Sequence, residues 1–183
     1  MLEPVALGVT ILLVGASPPD PQFWDTTIAG VTLEDPRTGR AFVMNHPTTA
    51  DEPADDFPQF RCLNADGTEV LSFIMQYGDQ RYQFAQFRVR RASRREAAQG
   101  ERSAVQSFAT GKGIRLGLTI DRVLELLGPG ARKEGKQQVR LTYSCDSVKT
   151  CPGLGRVNVP QYQAIYTFRG NELVAFESGY PYP

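Results

Sequence analysis

The sequence predicts an α+β fold of two repeated small modules, each a short helix or helices packed on an antiparallel sheet. Three observations carry this expectation. The stretch "GLTIDRVLELLGPG" (117–130) has a helix signature bounded by glycine. It is followed by "QVRLTYS" (138–144) and "YQAIYTFRGNELVAFESGY" (162–180), whose apolar residues alternate as in strands. The first half offers the same order of glycine, short helix, strand and hairpin.

Along the chain, "VALGVTILLVGAS" (5–17) is an apolar run of signal-peptide length, too short to span a bilayer comfortably. Residues 1–16 therefore read as a signal-peptide remnant, with Val14 and Ala16 at the small positions of a cleavage site. The absence of Lys or Arg before the run, where Glu3 stands, departs from that pattern, and a buried N-terminal strand is the alternative. The breaker-rich residues 17–24 read as a linker.

The first α+β module is expected over 25–91. Gly30, Val31, Thr32 and Leu33 align with Gly117, Leu118, Thr119 and Ile120. Thr32 is placed to cap a short helix with Asp35 at the capping-box position, while Pro36 and Gly39 limit its length. "FRCLNADG" (60–67) reads as a strand, and a hairpin is expected around Gly78-Asp79. Leu71, Phe73, Met75 and Tyr77 share one face of its first strand. In its second strand, Tyr82 and Phe84 fall on one face and Phe87 and Val89 on the other, which predicts a bulge near Ala85-Gln86.

Residues 92–112 read as a basic linker, and the second α+β module as 113–183. There Thr119 caps the helix, and Asp121 puts negative charge in its first turn. Ile120, Val123, Leu124 and Leu127 share one face, and Gly128 with Pro129 ends it. Val139, Leu141 and Tyr143 alternate in the next strand, and glycine sits in the turn Arg169-Gly170-Asn171-Glu172. Cys145 and Cys151 bracket "DSVKT", a spacing that a local disulfide closes, as expected in an oxidising compartment. Cys62 is left over.

Composition narrows the function classes. Formal net charge is zero over 183 residues, which argues against a dedicated nucleic-acid binder. The charges are uneven: Asp51, Glu52, Asp55 and Asp56 form an acidic loop, while Arg88, Arg90, Arg91, Arg94, Arg95 and Arg102 gather in a basic stretch. These are two solvated loops of opposite sign or a pair of patches that steer a charged partner. The single histidine, His46, stands before a proline and reads as a loop residue. Pairing it with Cys62 as a thiol nucleophile is the weaker reading. The acidic loop lacks calcium-loop spacing, three Cys and one His fall short of a zinc set, and neither "GKGIRLG" nor "GPGARKEGK" has phosphate-loop spacing. No catalytic constellation, cofactor or metal is expected.

The residues of 113–180 resemble the small exported modules of the SmpA/OmlA outer-membrane-assembly lipoproteins and of the beta-lactamase inhibitor proteins. The shared features are the glycine, the polar cap, the paired apolar positions, the terminal Gly-Pro, and the strand ending in Phe168 before a turn and Leu173. The resemblance implies a tandem α+β module that binds other proteins and has no catalytic residues to transfer. Ser17 stands where a lipoprotein has its lipid-bearing cysteine, so no stable membrane anchor is evident.

The expectation is thus an exported, non-enzymatic protein-binding module, periplasmic or secreted, whose partner is a protein of unknown identity. Arg88, Arg90, Arg91, Arg94 and Arg95, with Tyr180 and Tyr182 in an exposed tail, are the candidate contact residues. An inhibitor or immunity protein that blocks an envelope enzyme, or a cell-wall glycan binder using the second module's aromatics, are the alternatives.

Overall fold

Strand alternation builds one sheet across both halves of the chain. The computed structural model describes residues 19–51, 59–75, 80–135 and 137–181. The signal-peptide reading, most of the acidic loop, Tyr77, the turn at Gly78-Asp79 and Tyr182 lie outside these residues. The strands are β1 (Thr27–Ile28), β2 (Val31–Thr32), β3 (Thr49–Asp51), β4 (Gln59–Leu63), β5 (Glu69–Ile74), β6 (Gln86–Arg91), β7 (Ala131–Glu134), β8 (Gln138–Cys145), β9 (Tyr162–Arg169) and β10 (Glu172–Gly179). The helices are α1 (Pro36–Asn45), α2 (Arg94–Gln99), α3 (Ile120–Leu127) and α4 (Gly153–Val157). β1 and β2 pair with each other, and the rest form an eight-stranded antiparallel sheet in the order β3-β4-β5-β6-β10-β9-β8-β7. The fold class is α+β. α1 precedes β3–β6 and α3 precedes β7–β10, with α4 between β8 and β9 in the second half alone, and the halves meet where β6 pairs with β10.

Because side chains alternate along a strand, the registers fix which residues share a face. Leu71, Val89, Phe176, Tyr166 and Leu141 lie opposite one another across five strands and are all buried. Onto this face pack Phe42 of α1, Ile120, Val123 and Leu127 of α3, and Leu154 of α4. One continuous core results, joining the two halves.

In the second half α3, β8, β9 and β10 form where expected, and β7 and α4 are additions. Thr119 caps α3 by accepting the Arg122 N–H, Gly128 ends it at a positive φ of 77°, and Gly170 turns the β9–β10 hairpin at φ 61°. Cys145 and Cys151 are joined in a disulfide that closes the chain between β8 and α4.

The first half differs in detail. Asp35, not Thr32, caps α1, accepting from the Arg37 N–H at 3.0 Å. The reason is Pro36: it is pre-set for the first helical turn and forces the residue before it out of the helical region, so Asp35 is extended. Thr32 belongs to β2, and its N–H donates to the Thr38 hydroxyl at 3.0 Å. At the end of the β5–β6 ladder Ile74 pairs with Gln86, and its carbonyl also accepts the Ala85 N–H at 2.9 Å, so Ala85 and Gln86 stand two against one where the bulge is expected. The turn before it holds Tyr82 at φ 72°. A register shift also occurs against β9, between Leu173 and Ala175 of β10.

Both segments read as linkers carry structure. In 92–112, Ser93 and Glu96 form a capping box on α2, and Phe108 is fully buried with its N–H donating to Glu69 at 2.9 Å. In 17–24, Trp24 stacks on Tyr162 with ring centroids 4.7 Å apart, and the Asp20 carboxylate accepts the Gly153 N–H at 2.6 Å and pairs with Arg156.

Candidate interaction surface on the open sheet face

The face opposite the core carries five basic residues in two rows, and strand register builds them. One row runs Val70, Arg90, Ala175, Thr167, Arg140, Lys133 from β5 to β7. The next runs Arg61, Ser72, Arg88, Glu177, Ile165, Thr142 from β4 to β8. Five cations therefore face outward, Arg61, Arg88, Arg90, Lys133 and Arg140, against the single carboxylate of Glu177 on those rows. Three of them, Arg88, Lys133 and Arg140, are exposed.

The candidate arginines do not form one open patch. Alternation puts Arg88 and Arg90 on this face and turns Arg91 to the helix side at the end of β6, opposite Glu69. Several are held by the protein's own carboxylates. Arg88 Nε bonds Glu177 at 2.7 Å, and Arg91 Nη2 bonds Glu172 at 2.7 Å. Arg90 grips Glu96 of α2 through both terminal nitrogens at 2.9 and 2.5 Å, a bidentate pair. That guanidinium, together with the Ser93 hydroxyl and N–H, holds the Glu96 carboxyl down to a pKa of about 2. Arg94 and Arg95 are exposed on α2 without a carboxylate partner among the described residues, Arg95 contacting Gln99 at 3.4 Å.

α2 rests on one end of this face. Its terminal Gly100 lies so near Leu63 that an added Cβ would come within 2.7 Å of the Leu63 side chain. Between α2 and the strands is an open cleft of about 620 Å³, lined by Leu63 and Val70, by Arg61, Arg90 and Arg95, and by the carboxylates of Glu96 and Glu101.

Tyr180 is a correction. It is 2% exposed, not in an exposed tail: its N–H donates to the Ala85 carbonyl at 2.9 Å, extending β10 past its end, and its ring lies 6.0 Å from Trp24. The partner that buries it comes from the opposite end of the chain. Sequence reading missed Arg61, Lys133 and Arg140. Each was visible as a polar position in an alternating strand, but strand order was needed to bring them together.

The groups weighed for chemistry sit elsewhere. Cys62 faces the core opposite Leu71, and burial pushes its thiol up to about 12, which keeps it protonated and unreactive. His46 ends α1 with its ring 4.6 Å from that of Phe42. Asp25 is buried, and burial raises its carboxyl above the usual range despite hydrogen bonds from Thr110 and from the Lys112 N–H. Tyr162 and Ser178 share a hydrogen bond at 2.8 Å, and both hydroxyls stand within hydrogen-bond distance of the Asp25 carbonyl, so this network fastens the N-terminal segment to β9 and β10. Among the described residues no three His, Cys, Asp or Glu side chains are placed to hold a metal ion.

No protein-family model, curated protein or solved structure matches this chain.

Proposed function

We propose that the protein is a non-enzymatic binding module that works outside the cytoplasm and engages an acidic protein partner with the open face of its sheet. The observation that carries this reading is the pair of cross-sheet rows, which bring five cations from both halves of the chain onto one face not covered by α1, α3 or α4. A sheet face of mixed Arg, Thr, Gln and Ile presents guanidiniums and half-exposed apolar surface together, the composition of contact patches. The resemblance to the SmpA/OmlA and inhibitor-protein modules implies binding as well. That a helix precedes four sheet strands in each half supports reading them as copies of one unit. Export rests on the apolar run at 5–17 and on the Cys145–Cys151 bond. No helix among the described residues is long and apolar enough to cross a membrane. A scaffold and an inhibitor would use the same face. Of the aromatics on which the glycan reading rests, Tyr143, Tyr162, Tyr166, Phe168, Phe176 and Tyr180 are buried, and Tyr182 lies outside the described residues.

The test reverses exposed cations that have no carboxylate partner among the described residues. Lys133→Glu with Arg140→Glu leaves the core and the Arg90–Glu96 pair untouched. Capture of a protein from an envelope or secreted fraction should fall about ten-fold or more and lose much of its salt dependence, through slower association. Capture that is unchanged in amount and in salt dependence would remove the sheet face from consideration.

A further inference from the structure

A second basic surface lies away from the open face, where α1 meets the turn before β6. α1 presents Arg37, Arg40 and Met44 at positions i, i+3 and i+7, one stripe along the helix. Against this stripe stand Arg81 and Tyr82, leaving an open groove of about 470 Å³. Met44 is 70% exposed, the more exposed of two large apolar side chains left in solvent among the described residues. Arg37 is neutralised by Asp35, which takes its Nε and Nη2 at 3.1 Å each. Arg40 and Arg81 have no carboxylate partner among the described residues, and the Arg81 guanidinium sits 5.0 Å over the Tyr82 ring.

The groove is built, not incidental. Gly39 lies in the middle of α1, where glycine costs helix stability. Its hydrogen is needed there because a Cβ would stand 2.2 Å from the Tyr82 carbonyl oxygen and 2.9 Å from the Phe84 ring. The turn is therefore seated directly on the helix. Glu34 adds a second tie, its N–H donating to the Phe84 carbonyl at 2.9 Å and its carboxylate accepting from Gln83 at 2.5 Å. Tyr82 holds φ 72°, a conformation that a bulky L-residue takes only at a cost. A strained tyrosine carrying a stacked arginine beside an exposed methionine is a costly arrangement, and nothing in the core requires Arg81 or Met44.

We propose that this groove is a separate docking site for an acidic segment of a protein partner, with one apolar side chain resting on Met44 between the guanidiniums of Arg40 and Arg81. Charge complementarity selects the occupant: the two guanidiniums fit carboxylates, and methionine is an adaptable apolar contact. Two cations neutralise too few phosphates for a nucleic acid. One exposed apolar side chain gives a lipid surface little to hold.

The probe is the synthetic peptide acetyl-Asp-Glu-Leu-Asp-Glu-amide, titrated into the full-length ¹⁵N-labelled protein and followed by amide and methionine-methyl shifts. Saturable shifts are expected at Arg40, Met44, Arg81 and Tyr82. Arg40→Glu with Arg81→Glu should weaken binding about ten-fold or more while circular dichroism and melting temperature stay near wild type, since both side chains are exposed. Replacing the peptide's Leu by Ser should weaken binding several-fold. The proposal is overturned if these residues do not shift at millimolar peptide, if an all-Lys analogue binds equally, or if only vesicles of phosphatidylglycerol and phosphatidylcholine move the same signals. Lys133→Glu with Arg140→Glu should leave peptide binding unchanged, so failure here and failure of the open face are told apart.

Discussion

The two halves of the sheet each supply four strands, the second with α4 inserted between β8 and β9, and they are filled with different chemistry. β3 to β6 are three to six residues long, and their core is made of Leu71, Phe73, Phe87 and Val89, joined by Phe42 and Phe84. β8, β9 and β10 have eight residues each, and their core side carries Tyr143, Tyr162, Tyr166, Phe168 and Phe176. A buried phenylalanine asks only for packing, whereas a buried tyrosine needs a partner for its hydroxyl. Tyr143 finds the Gly128 carbonyl at 2.9 Å, and Tyr162 finds Ser178 and the backbone of Phe23 and Asp25. The N-terminal segment, which precedes the first half in sequence, is thus committed to the second half in space. The first half is strapped by a different segment, the chain after α2, whose Val105 carbonyl accepts the Ala65 N–H at 2.8 Å and whose Phe108 N–H donates to Glu69 at 2.9 Å. Its exposed parts carry the α1 groove and α2.

That asymmetry raises the question whether the halves unfold separately, and the largest expected effect decides it. Phe73→Ala in the first half and Phe168→Ala in the second each remove a fully buried ring and should cost about 3–5 kcal/mol. Because β6 and β10 share a ladder and one core spans both, each variant should shift a single transition. Two probes resolve the halves: the fluorescence of Trp24, which stacks on Tyr162, and the labelling rate of the buried thiol of Cys62 in β4. Coincident urea midpoints are expected for both probes in both variants. A Phe73→Ala protein that exposes Cys62 while Trp24 stays buried would split the body in two.

How much of this was legible follows from where the information sits. In the second half it is local. Thr119, Gly128, Gly170 and the alternation of β8 to β10 each act on neighbours within a few residues, so the elements could be read in place. The α1 cap was also local but depended on proline overriding threonine, a competition between Thr32 and Asp35 that the repeat template obscured. The fate of Tyr180 was not local, since Trp24 lies 156 positions earlier in the chain. The rows of cations were hidden for a related reason: Arg61, Arg88 and Arg140 come onto one face only through strand order. The arginine cluster read in sequence contained two of the five outward cations, and its Arg91 pointed to the wrong face.

A smaller effect sharpens the contrast within the second half itself. Tyr162 and Tyr166 stand four residues apart on the same face of β9, both buried. The Tyr162 hydroxyl lies within hydrogen-bond distance of four atoms on three residues, whereas the Tyr166 hydroxyl has no partner among the described residues. Removing a hydroxyl strands its partners in one case and relieves a desolvated group in the other. Tyr162→Phe should therefore destabilise by about 2 kcal/mol, and Tyr166→Phe should be neutral or stabilising by up to about 1 kcal/mol. Equal losses in denaturant titrations of the two variants would mean that hydroxyl satisfaction does not distinguish them.

The smallest effect separates the helix caps of the two halves by acid. α2 is capped reciprocally: the Ser93 hydroxyl accepts the Glu96 N–H, and Glu96 accepts the Ser93 N–H at 2.9 Å while holding Arg90. α3 is capped by the Thr119 hydroxyl, which does not titrate over the acid range. Since Arg90 holds the Glu96 pKa near 2, below the ordinary carboxylate value, the charged form favours the folded state. Its contribution is complete above the unfolded pKa of about 4.3, and is lost as pH falls through about 2. The carboxylate is solvent-accessible, so the contribution is that of a surface pair, under about 1 kcal/mol. Amide spectra from pH 6 to 2 should show the Ser93 signal moving with a low midpoint, before α3 loses its amide protection. Glu96→Gln keeps a side chain able to accept from Ser93 but drops the charge on Arg90. Its Ser93 signal should stay flat over the same range, with a small loss of stability at neutral pH. A Ser93 signal that titrates with the ordinary carboxylate midpoint in the wild type would show that Arg90 is free in solution. The guanidinium of Arg90 would then be available to a partner, and the contrast with Arg140 would disappear.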